Sequence, residues 1–100
     1  MSAPVQSALR PDADIMRLKN IGNAIRADLN LLGVRTVGEL AVRDADTLYS
    51  DLCIATGTRH DPCVHDIFAA AIHQAQTGEA LPWWDFTPAR KARQKAGSFP

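Results

Sequence analysis

The stretch from Leu18 to Leu40, L-K-N-I-G-N-A-I-R-A-D-L-N-L-L-G-V-R-T-V-G-E-L, leaves this chain few ways to fold. The turn at Asn20-Ile21-Gly22 calls for positive φ, which glycine adopts freely and asparagine at modest cost. Ile21 sits between them as an apolar plug. A helix is predicted from about Asn23 to Leu32, because Ile25, Leu29 and Leu32 are spaced to share one face. Gly33 takes the left-handed position that closes such a helix. Thr36-Val-Gly-Glu39 then opens the next one as a capping box, hydroxyl and carboxylate each satisfying the other's backbone donor. Ahead of the turn, Asp12 or Asp14 caps a first short helix holding Ile15, Met16 and Leu18.

The same punctuation continues downstream. The Thr36 helix runs to about Ala41. Asp44 caps a fourth, with Leu48, Leu52 and Ala55 on its inner face and Gly57 at its end. Asp61 caps a fifth, and Pro62 occupies its first turn, where a missing N–H is harmless. Its Val64, Ile67, Phe68, Ala71, Ile72 and Ala75 form the strongest amphipathic stripe in the chain, closed by Gly78. The prolines of L-P-W-W-D-F-T-P stop a helix, so this segment is expected to fold back across the bundle with one or both tryptophans packed. The predicted fold is all-α, a compact five-helix single domain over residues 12–88. A mobile lead-in covers residues 1–11. A basic tail, at most one helical turn fading into disorder, covers residues 89–100. One hundred residues support a single modest core.

Two helices around such a turn make a helix-hairpin-helix. The N–H groups opening the second helix have no intrahelical partner and carry the positive end of its dipole, which suits a phosphate oxygen. Lys19, Asn20, Ile21, Gly22, Asn23 and Arg26 are therefore the candidate nucleic-acid contacts. Binding of this kind reads backbone rather than bases, without sequence preference. The leading expectation is a small accessory DNA-binding protein with no catalysis of its own. The alternative is a protein–protein interaction module, self-association included, in which the hairpin is purely structural. Charge bears on the choice. The chain is neutral overall, but residues 17–35 hold Arg17, Lys19, Arg26 and Arg35 against Asp28 alone. Residues 36–66 are acidic, and Arg90, Lys91, Arg93 and Lys95 make the tail basic. A protein that coats nucleic acid is basic over much more of its surface, so weak or partner-assisted binding is expected.

Other constellations read more plainly. Cys53, His60, Cys63 and His65 do not follow a standard zinc spacing, and no metal or other cofactor is expected. Cys63 lies in the first turn of a helix, where the dipole favours thiolate, but Asp61 and Asp66 stand beside it. The ordinary reading has Cys53 in the core, His65 exposed, and Arg59 and His60 bonding loop carbonyls. Trp83 and Trp84 are open to two roles, stacking on a base or partner and closing the core. No signal peptide or membrane span is legible, and two cysteines make no disulfide framework, so a reduced cytoplasmic setting fits.

Taken in order, the hairpin, L-L-G-V-R-T-V-G-E-L, L-Y-S-D-L-C, R-H-D-P-C and L-P-W-W resemble a small bacterial family over roughly residues 13–90. Its members are known as pathogenicity locus, helix-hairpin-helix or mitomycin resistance proteins. The resemblance implies a compact all-α fold similar to SAM-like and helix-hairpin-helix domains and, through the hairpin and because mitomycin cross-links DNA, a connection to DNA. Against the general hairpin pattern, Asn20 replaces the first glycine and Asn23 the usual residue opening the second helix. Arg26 stands where a small residue lets the helices approach.

Overall fold

The computed structural model describes residues 9–100. Residues 1–8 of the expected lead-in lie outside the described residues. The chain folds as one all-helical unit with five α-helices among the described residues: α1 (Asn23–Leu31), α2 (Val37–Ala41), α3 (Ala45–Thr56), α4 (Cys63–Thr77) and α5 (Thr87–Ala96). Two 3-10 turns, Ile15–Arg17 and Trp83–Phe86, also occur among the described residues.

Membership of the five differs from the expectation. The first short helix is only the 3-10 turn Ile15–Arg17, capped by the Asp14 carboxylate, which accepts the Met16 N–H. The basic tail is the fifth helix. Pro88 sits in the opening turn of α5, where proline is tolerated, so it starts this helix rather than preventing it.

Local rules hold at the caps. Thr36 and Glu39 form the full capping box of α2, and Asp44 accepts the Thr47 N–H to open α3. At the end of α1, Gly33 adopts φ 84°, the Val34 N–H reaches Leu29 O at 2.9 Å, and the Gly33 N–H reaches Asn30 O. That is a Schellman closure, and it drives Val34 into the core. Asp61 opens α4 by accepting the Cys63 N–H at 2.8 Å, with Pro62 just outside the helix.

The core joins Ile15, Leu18, Ile21 and Leu29 to Val37, Leu40, Leu48, Tyr49, Leu52, Phe68 and Ala71. α4 is its central member, packed against α2, α3 and the Trp83–Phe86 turn. Ile25 and Leu32 flank the core through the α1 face read from sequence, whereas Ala55 on α3 is exposed. The segment before the first turn is tied down: the Gly38 N–H donates to Pro11 O at 2.8 Å and Val37 N–H to Ala13 O at 2.9 Å. A Cβ at Gly38 would stand 3.0 Å from Pro11 O and 3.1 Å from Pro11 Cβ, so a larger residue there would push this segment back by a few tenths of an ångström. The end of the expected lead-in thus packs on α2.

Candidate functional site

The turn between the 3-10 turn and α1 is built from Lys19, Asn20, Ile21 and Gly22. Asn20 holds φ 77°, as the sequence predicts. Gly22 does not hold positive φ: it lies in extended backbone at φ −102°, a conformation open to any residue, and serves as the N-cap of α1. One left-handed residue therefore makes the turn. Ile21 is buried, as expected of a plug.

The Asn20 side chain reaches inward. Its Nδ2 donates to Leu81 O at 2.9 Å and its Oδ1 accepts the Trp83 N–H at 3.2 Å. The Lys19 backbone N–H donates to Gln74 Oε1 at 2.8 Å. The turn is thereby fixed to α4 and to the L-P-W-W segment. Its exposed surface consists of the Lys19 side chain, Gly22, Asn23 and Ala24. No side chain caps α1, so its first N–H groups open onto that surface with the positive end of the dipole behind them. The space at Gly22 is open, since a Cβ there would meet nothing within 4 Å.

Arg26 is half-exposed at the edge of this region. Its Nη2 pairs with Asp14 Oδ2 at 2.7 Å, and its Nε is buried without a partner among the described residues. The Met16 N–H and the Arg26 guanidinium hold the Asp14 carboxyl below its ordinary range. The large residue where hairpins usually carry a small one is explained: Arg26 clamps α1 to the preceding turn through charge. Of the six candidate contacts, Lys19, Gly22 and Asn23 share the exposed surface, while Asn20, Ile21 and Arg26 build it. Arg17, Lys19 and Arg35 form no ion pair among the described residues.

Two charge clusters hold α5. Asp66, fully buried on α4, receives Arg90 Nη2 and the Thr87 hydroxyl, each at 2.8 Å, and Arg90 itself is buried. Asp46 on α3 receives both terminal nitrogens of Arg93, at 2.9 and 2.8 Å, and meets His65 Nε2 at 2.7 Å. The Arg93 guanidinium, with help from His65, lowers the Asp46 carboxyl to about 2. His65 is buried rather than exposed, edge-on to Phe99 and Tyr49. These contacts span 19 to 47 residues, which is why no local pattern announces them.

The cysteine chemistry stays quiet. Hydrogen bonding to Asp61, then burial, pushes the Cys63 thiol up, away from thiolate. No cluster of three or more metal-ligating side chains occurs among the described residues. Arg59 stacks over Tyr49 and donates to Pro100 O, and His60 bonds the Thr56 hydroxyl.

Beside α5 lies an open groove of about 550 Å³, lined by Trp83, Trp84, Cys63, Pro88, Arg90 and Lys91. Trp83 is half-buried and Trp84 is 60% exposed, their rings nearly perpendicular at 5.7 Å.

The family model described as Cdd1, pathogenicity locus, matches residues 11–92, spanning the turn, the Asp66–Arg90 cluster and the groove and ending one residue before Arg93. The chain belongs to the Cdd1 pathogenicity locus family. Among curated relatives of this family member, mitomycin resistance protein McrB of Streptomyces lavendulae is 35% identical over 79 residues, covering 79% of this chain and 75% of that protein. No solved structure matches the chain. No helix among the described residues is long and apolar enough to cross a membrane.

Proposed function

We propose that this Cdd1-family chain is a small, non-catalytic nucleic-acid-binding protein whose Asn20 turn and α1 N-terminus, a helix-hairpin-helix in form, grip a phosphate of the backbone. The observation that carries the reading is the start of α1 at an exposed surface, uncapped by any side chain and flanked by Lys19, which forms no ion pair among the described residues. Backbone donors and a lysine charge together suit a phosphate oxygen and read no base edge. Asn20 and Arg26 position this surface from behind. McrB of Streptomyces lavendulae is named for mitomycin resistance, and since mitomycin cross-links DNA, DNA is the polymer proposed.

Amide NMR tests the reading locally. On titration with short duplexes of two unrelated sequences, the Gly22, Asn23, Ala24 and Ile25 amides are expected to shift alike with both. Shifts confined to other parts of the molecule, with these four unmoved, would overturn the assignment.

A further inference from the structure

The tryptophan groove has no part in gripping a duplex phosphate, yet it carries a specific chemistry. Trp84 offers an open aromatic face, and Trp83 stands edge-on to it as a wall. The charges around it are sorted. Arg90 is neutralised by Asp66 and Arg93 by Asp46, whereas Lys91 and Lys95, one helical turn apart on the same face of α5, are exposed and form no ion pair among the described residues. Among the described residues the lining itself holds no carboxylate, and Asp61 meets it through Cys63. A flat apolar group bearing a nearby anion fits this arrangement, and an uncharged apolar peptide leaves the lysine row without a purpose.

Position narrows the ligand further. Asn20 bonds Leu81 O and the Trp83 N–H, so the turn that presents Lys19 and Gly22 is tied directly to the segment that presents Trp84. We infer that the groove takes one unpaired nucleobase, stacked on Trp84, with an adjoining phosphate on Lys91. The inference rests on the phosphate-binding reading only for this adjacency. It adds a preference: single-stranded or locally unpaired nucleic acid is held at two points, and a fully paired duplex at one. Stacking is indifferent to base identity, because every base has a π-face.

The test measures fluorescence anisotropy of a labelled oligothymidylate and, in parallel, of a labelled blunt duplex at low salt. Trp84→Ala is expected to weaken the single strand about ten-fold or more and leave the duplex unchanged. Trp84→Phe retains most of the affinity, and Lys91→Glu weakens the single strand. Both side chains are exposed, and circular dichroism confirms the fold of each variant. Single-strand affinity indifferent to Trp84→Ala and Lys91→Glu overturns the groove assignment, whatever the duplex does. A concentration-dependent mass in light scattering that Trp84→Ala abolishes overturns it in favour of a second copy. Single-strand binding that depends on Trp84 without any duplex binding supports the groove and removes the turn reading alone.

Discussion

Asn20 combines two properties that the common alternatives lack. Its backbone occupies the left-handed region at φ 77°, and its amide donates to Leu81 O while accepting from Trp83. Glycine would keep the turn and lose both ties. Alanine would lose the ties and also strain the backbone. Asn20→Gly is therefore expected to cost about 1–2 kcal/mol from two hydrogen bonds, and Asn20→Ala about 1 kcal/mol more from the left-handed conformation, both read by urea unfolding. Equal stability of the two variants would show that φ at this position carries no cost. The turn was legible because asparagine and glycine near a helix start have local meaning. The inward direction of the Asn20 side chain was not, since its partners lie 61 and 63 residues away. Gly22 misled for a related reason: an N-cap glycine and a left-handed glycine look alike in sequence, and only φ separates them.

At the scale of the element, α5 is the informative case. Its composition, T-P-A-R-K-A-R-Q-K-A, has no apolar stripe, so periodicity gave no reason to fold it onto the bundle. Charge pairing does so instead. Removing Arg90 leaves the Asp66 carboxylate buried and half-satisfied by Thr87 alone. Arg90→Met is expected to destabilise the protein by about 3–5 kcal/mol, and the double variant Asp66→Leu/Arg90→Met by much less; denaturant midpoints decide this. The Arg93–Asp46 pair predicts a pH signature. The folded carboxyl of Asp46 titrates near 2 against an ordinary 3.8, so its contribution is present above about pH 4 and disappears as pH falls through about 2. Arg93→Met should therefore be less stable than the parent at pH 7 and lose that difference at the acid end of a pH series. A stability gap that persists undiminished at low pH would assign the effect of Arg93 to packing on Phe99 rather than to charge. The capped helices α2, α3 and α4 were readable because a cap and its helix are neighbours in sequence.

Across the whole molecule, neutrality conceals a division of charge. The acidic middle of the sequence reads as a surface that repels nucleic acid. In the fold, Asp46, Asp51 and Asp66 are each paired with an arginine. Two of those arginines come from the basic tail, which therefore contributes only Lys91 and Lys95 as free cations among the described residues. Among the described residues the turn end keeps Arg17, Lys19 and Arg35 without an ion pair. So small a set predicts weak binding with a shallow salt dependence rather than the steep one of a basic coat. The decisive measurement is the affinity for a labelled duplex of arbitrary sequence as a function of salt, for the parent and for Lys19→Glu. The parent should give a slope of log K against log salt of about −2 to −3, at about −0.9 per phosphate, and Lys19→Glu should weaken binding on any sequence and reduce the slope by about 1. No detectable binding at low salt, or a slope and affinity untouched by Lys19→Glu, would contradict phosphate recognition at this turn.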